Sequence, residues 1–131
     1  MSRKREKMRT TPVTLLVVMV GLLLVSVPVT AHHSAAAFDA GTEITLKGTV
    51  TEWLWSNPHC LLQFDVTEAN GQVVHWVAET QNPRTMSDAG WAKTSIKPGD
   101  QVTLTVYAAR NGRPFARVVK VVLPGGQELK S

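Results

Sequence analysis

Beyond residue 43 the dominant period of apolar and polar residues is two, which predicts strands with one buried face. Ile44, Leu46, Gly48 and Val50 share one face of a first long strand, with Thr45, Lys47, Thr49 and Thr51 on the other. Gly48 in mid-strand permits a bulge or a sharp bend. Ser56-Asn57-Pro58 breaks this strand, a second run extends from His59 to Glu68, and a third from Gln72 to Thr80. Asn70-Gly71 between the last two is a strong hairpin signal, because both residues tolerate the positive φ of a tight turn.

From Asn82 to Gly99 the alternation lapses. Pro83 can open a short helix running to about Trp91, and Ile96-Lys97-Pro98-Gly99-Asp100 reads as a turn. Alternation resumes from Gln101 to Ala109, Asn111-Gly112 turns the chain, and Phe115 to Leu123 supplies a last strand. Pro124-Gly125-Gly126 and the polar end read as a fraying tail. Three strands, a short helix or irregular link, and two more strands is the order of a five-stranded OB-like barrel. The fold class expected is therefore all-β, with another small barrel or a sandwich as the alternatives. In OB barrels ligands meet strands two and three and the loop between strands one and two, which here hold Trp53, Trp55, Asn57, His59 and His75.

Residues before this domain have a different character. Arg3, Lys4, Arg5, Lys7 and Arg9 precede an uncharged run from Pro12 to Val29, and Val29-Thr30-Ala31 has the small-residue pattern cut by a signal peptidase. Cleavage there makes His32 the first residue of an exported, periplasmic or secreted protein. The competing reading is a retained anchor, for which 18 residues interrupted by Gly21, Ser26 and Pro28 are barely long enough. The chain then divides into a cleavable signal peptide (1–31), an N-terminal arm (32–42), the barrel domain (43–124) and a flexible C-terminal tail (125–131).

Removing the leader changes the charge. The 131 residues carry 14 Lys+Arg and 10 Asp+Glu, and five of those bases with one acid lie in the first nine positions. Nine of each remain, so the exported chain is formally neutral and its net charge offers no footprint for nucleic acid. Membrane contact is expected only in transit, through the signal peptide. Cys60 is the single cysteine, so no internal disulfide forms. It alternates with Leu62, Phe64 and Val66 and reads as a buried thiol.

All four histidines, His32, His33, His59 and His75, follow the cut. A new N-terminal His32 can chelate through its amine and its ring, and nitrogen donors suit Cu(II) ahead of Zn(II). His59 or His75 would supply a third nitrogen. Neither has the fixed spacing of a metal motif: His59 can simply close a loop, and His75 sits on the face of its strand opposite Val74 and Trp76. Trp53 and Trp55 fall opposite Val50 and Leu54, where they form a stacking platform for a protein or envelope ligand or are covered by another part of the domain. Trp76 reads as core and Trp91 as a plug in one barrel end. No nucleophile–base pair, phosphate loop or dinucleotide fingerprint is present, so no enzymatic activity is expected.

Ala31-His32-His33-Ser34 with Phe38-Asp39, Leu46-Lys47-Gly48-Thr49-Val50, Trp55-Ser56-Asn57-Pro58-His59, Trp76-Val77-Ala78-Glu79 and Ile96-Lys97-Pro98-Gly99-Asp100 occur in this order. Together they resemble an exported bacterial family of small β proteins known only as a domain of unknown function, family 6152. The resemblance implies an exported all-β domain and assigns no ligand. The expectation is a binding or accessory protein, either metal-binding or holding a partner on its tryptophan-bearing surface.

Overall fold

The computed structural model describes residues 36–131. The signal-peptide segment, His32 and His33 lie outside the described residues. Six strands and one helix follow in order: β1 (Phe38–Leu54), β2 (Leu61–Thr67), β3 (Val73–Glu79), α1 (Pro83–Asp88), β4 (Gln101–Ala109), β5 (Phe115–Val122) and β6 (Glu128–Lys130). The sheet runs β3-β2-β1-β4-β5-β6, and a parallel β3–β5 pairing closes the first five strands into the OB-like barrel.

The long first strand makes closure possible. Phe38 to Thr49 pair with β4, while Thr49 to Leu54 pair with β2. The crossing point is crowded: a Cβ on Gly48 would stand 2.6 Å from the Asp65 carbonyl oxygen and 2.8 Å from Phe64 Cδ2. Glycine is thus required there by close approach, and the bulge itself falls later, between Val50 and Glu52. Inward residues Val50, Leu62, Phe64, Ala78, Leu104, Val106, Ala116 and Val121 fill the barrel. Met86, Trp91 and Ile96, from the segment joining β3 to β4, are buried with them.

α1 is shorter than the pattern predicts. Asn82 caps it by accepting a hydrogen bond from Thr85 N at 3.0 Å, and Pro83 opens the first turn. Gly90, at φ +90°, lies just beyond its end, so Trp91 belongs to the following loop.

Two boundaries also differ from expectation. The expected tail at 125–131 contains β6, whose Leu129 is 5% exposed opposite Val121. Gly126 at φ +87° lets Leu123 N bond Gln127 O at 2.9 Å, so the Pro-Gly-Gly stretch is a hairpin turn. The expected arm at 32–42 contains the start of β1. Phe38 pairs with Ala109 and stacks on Phe115 at 5.6 Å, while residues 39–42 bulge out before pairing resumes at Glu43.

Candidate functional site

The bulge at Thr51 decides what the tryptophans do. An extra residue in one strand of a pair exchanges its faces beyond that point. Glu52 therefore pairs with Gln63 on the outer face, where Gln63 Nε2 donates to Glu52 at 2.8 Å, and Trp53 pairs with buried Leu62. The expectation that Trp53 and Trp55 lie off the core face is thus corrected: both are half-buried and packed against the core. Trp53 meets Trp55 edge-on at 5.8 Å and Trp91 at 5.7 Å. Buried Trp91 is fixed in turn by donating its indole N–H to the Lys130 carbonyl at 2.7 Å. A rigid aromatic ledge results, with the outer parts of Trp53 and Trp55 open to solvent.

Beside the ledge runs the loop from Ser56 to His59. Asn57 and Pro58 are exposed and joined by a cis peptide bond, and Ser56 Oγ donates to the His59 carbonyl at 3.2 Å. His59 is half-buried, with Nδ1 at 2.8 Å from the Thr80 carbonyl. A carbonyl only accepts, so Nδ1 is the donor of this contact, which leaves Nε2 as the ring nitrogen not engaged by it. Next to it Cys60 is fully buried, and burial pushes its thiol pKa up. Cys60 and Thr80 bond through their backbones, Thr80 N donating to Cys60 O at 2.9 Å.

His75 sits elsewhere. It pairs with Asp65 across the β2–β3 hairpin, its side chain is 82% exposed, and its Nδ1 lies 2.5 Å from Asp65 Oδ1. His59 precedes β2, and Asp65 lies four residues beyond the first strand residue Leu61, already about 13 Å at ~3.3 Å per residue. The structure therefore does not bring His59 and His75 together, and a single ion can use only one of them. Among the described residues no three His, Cys, Asp or Glu side chains form a group able to hold a metal.

One polar cluster escaped the sequence reading. On the outer face Arg117 donates to Glu79 at 2.9 Å, with side-chain exposures of 25% and 12%. Phe38 lies over Arg117, the guanidinium carbon standing 5.3 Å from its ring centre, and Arg117 Nε is buried with no hydrogen-bond partner among the described residues. The only signal in sequence was a carboxylate and an arginine on strands that the barrel happens to join.

The sequence pattern of a family of unknown function (DUF6152) matches residues 19–116. Comparison with curated proteins gave no match. Among solved structures, the chain is similar to the mitochondrial single-stranded DNA binding protein Rim1 from S. cerevisiae, at 12% identity and a TM-score of 0.49, covering 63% of this chain and 93% of that one. A selenomethionine-labelled form of the same protein aligns at 13% identity and a TM-score of 0.43, covering 63% and 92%.

Proposed function

The chain belongs to the DUF6152 family of unknown function, and on that premise we propose that it is an exported binding module. Its working surface is the Trp53–Trp55 ledge with the Ser56–His59 loop, and its ligand is a protein or other component of the cell envelope. The observation that carries this reading is the ledge itself. Two half-exposed tryptophans, locked from beneath by Trp91, supply large apolar contact area with little side-chain entropy left to lose. Binding rather than catalysis is favoured because the one thiol is buried with a raised pKa, and its neighbour His59 is tied to a backbone carbonyl.

A second reading, copper binding, rests on the fixed ring of His59. Histidine ligands generally donate the remote N–H to a carbonyl or carboxylate, as His59 does to Thr80. A site there would need His32 and His33 to complete it.

Affinity capture from solubilised envelopes separates the two readings. Trp55→Ala removes the outer tryptophan and leaves the Trp53–Trp91 contact in place. Loss of a specific partner with Trp55→Ala, in a variant that keeps the wild-type fold, supports the ledge. Identical captures by wild type and Trp55→Ala contradict it. One equivalent of Cu(II) held by the wild type and lost in His59→Ala supports the second reading.

A further inference from the structure

Every asparagine of the chain is followed by proline or glycine. Asn57 and Asn82 precede Pro58 and Pro83, whose ring nitrogens carry no hydrogen and cannot attack a neighbouring amide. Asn70 and Asn111 precede Gly71 and Gly112, and all four of these residues are exposed at hairpin tips. Glycine has no Cβ to hinder attack by its backbone nitrogen on the side-chain amide before it. In both turns the asparagine Oδ1 accepts a backbone hydrogen bond, from Gln72 N at 2.8 Å and from Arg113 N at 3.1 Å. Such a bond stabilises the negative charge that gathers on Oδ1 when a nucleophile adds to Cγ. In sequence the two Asn-Gly sites are equivalent.

The turns that hold them are closed differently. Gly71 N donates to the Glu68 carbonyl at 2.9 Å, and Glu68 N donates to the Gln72 carbonyl at 2.8 Å, so two backbone bonds clamp Asn70. Gly112 N donates to the Ala109 carbonyl at 3.2 Å, and no matching bond runs from Ala109 N to the Arg113 carbonyl among the described residues. That carbonyl accepts from Phe115 N instead, at 2.7 Å. Attack requires the glycine nitrogen to leave its carbonyl partner. Opening therefore costs less at Asn111, where one longer bond holds the turn, than at Asn70.

We propose that Asn111 is a site of spontaneous modification, at which Gly112 N attacks Asn111 Cγ and the amide side chain is converted to aspartate and isoaspartate. The new N–Cγ bond forms as the Gly112 amide proton passes to solvent. The Cγ–Nδ2 bond then breaks and ammonia leaves with a proton taken from solvent, which gives a cyclic succinimide. Water adds to either ring carbonyl. Opening at one side restores the main chain with an aspartate, and opening at the other routes the main chain through the side-chain carboxyl carbon as isoaspartate. One water is consumed, one ammonia is released, and no electrons are transferred. Either product adds a carboxylate between Arg110 and Arg113 and makes the chain one charge more negative. Isoaspartate also lengthens the backbone of a turn that anchors the start of β1, where Arg110 N and Nε donate to the Ala37 and Phe38 carbonyls at 2.9 Å. The site is independent of the tryptophan ledge, which belongs to another loop.

The test incubates the purified full chain at mildly alkaline pH and physiological temperature and digests samples over time. Both Asn-Gly peptides are read by mass spectrometry, with fragmentation that separates aspartate from isoaspartate. A parallel series in urea removes the turns. In the folded chain, conversion at Asn111 should outrun conversion at Asn70 by about fivefold, the factor that one further backbone hydrogen bond is worth. Isoaspartate should accompany aspartate at position 111, and the two sites should converge in urea. Absence of conversion at Asn111 in the folded chain, or conversion at Asn70 that is equal or faster, overturns the proposal. Aspartate without isoaspartate overturns the cyclic route. A rate ratio in urea that matches the folded one overturns the role of the turns.

Discussion

Replacing Glu79 by leucine should cost far more than replacing both members of its ion pair. The carboxylate is 12% exposed and accepts from Arg117 at 2.9 Å, and the Arg117 guanidinium lies under the Phe38 ring. At an effective dielectric near 20 two charges about 4 Å apart attract by roughly 4 kcal/mol. Removing one partner of a buried pair typically costs about 3–5 kcal/mol, because the remaining charge stays desolvated. Arg117 retains 25% exposure, so the low end applies, about 3 kcal/mol. In a domain of this size that lowers the melting temperature by more than about 10 °C. Glu79→Leu with Arg117→Met, by contrast, should fall within about 1 kcal/mol of the wild type. Thermal and urea unfolding of the two single variants and the double give the coupling directly. Phe38→Ala should weaken that coupling by admitting water. A cost below about 1 kcal/mol for Glu79→Leu alone, the range of solvated pairs, would show that Phe38 does not seal the pair.

Gly48→Ala should destabilise by about 1–3 kcal/mol in urea unfolding, since its Cβ meets the Asp65 backbone oxygen at 2.6 Å and backbone cannot swing aside; unchanged stability would contradict the crossing geometry. Leu129→Ala should cost about 2–3 kcal/mol, as the side chain is 5% exposed on β6, whereas a truly frayed end would give almost nothing. Asp100 has its pKa lowered chiefly by the hydrogen bonds of Lys97, whose Nζ and backbone N lie at 2.6 and 3.0 Å. The stability it confers is present above the unfolded carboxyl value of about 3.9 and is lost as pH falls through the lower folded value. The difference between wild type and Asp100→Asn should therefore vanish with acidification, and a difference independent of pH would assign the effect to packing.

Much of the barrel was legible because its strands obey the simplest period. Val50, Leu62, Phe64, Leu104 and Val106 alternate cleanly, and the Asn-Gly turns punctuate them. Order alone then suggested the topology. What escaped notice depends on a single residue or on tertiary contact. The bulge at Thr51 exchanges the faces of β1, so a period counted straight through it assigns Trp53 to the wrong side. β6 has one apolar residue, Leu129, too few to show a period, and its pairing is set by the turn at Gly126. Phe38 could be recognised as a cap on Arg117, and Arg117 as the partner of Glu79, only once the barrel had closed. The candidate loop was legible as a place, through Ser56-Asn57-Pro58, while the orientation of the His59 ring required the Thr80 carbonyl to be located.

The most direct measurement of the proposed binding surface is site-specific photocrosslinking in living cells, with the reactive residue at Asn57 on the loop or at Lys47 on the outer face of β1. Both positions are exposed. A defined adduct formed from Asn57, absent from Lys47 and abolished by Trp55→Ala, is the result expected if the ledge and loop hold a partner. The same adducts from both positions, or an Asn57 adduct that survives Trp55→Ala, would contradict that assignment.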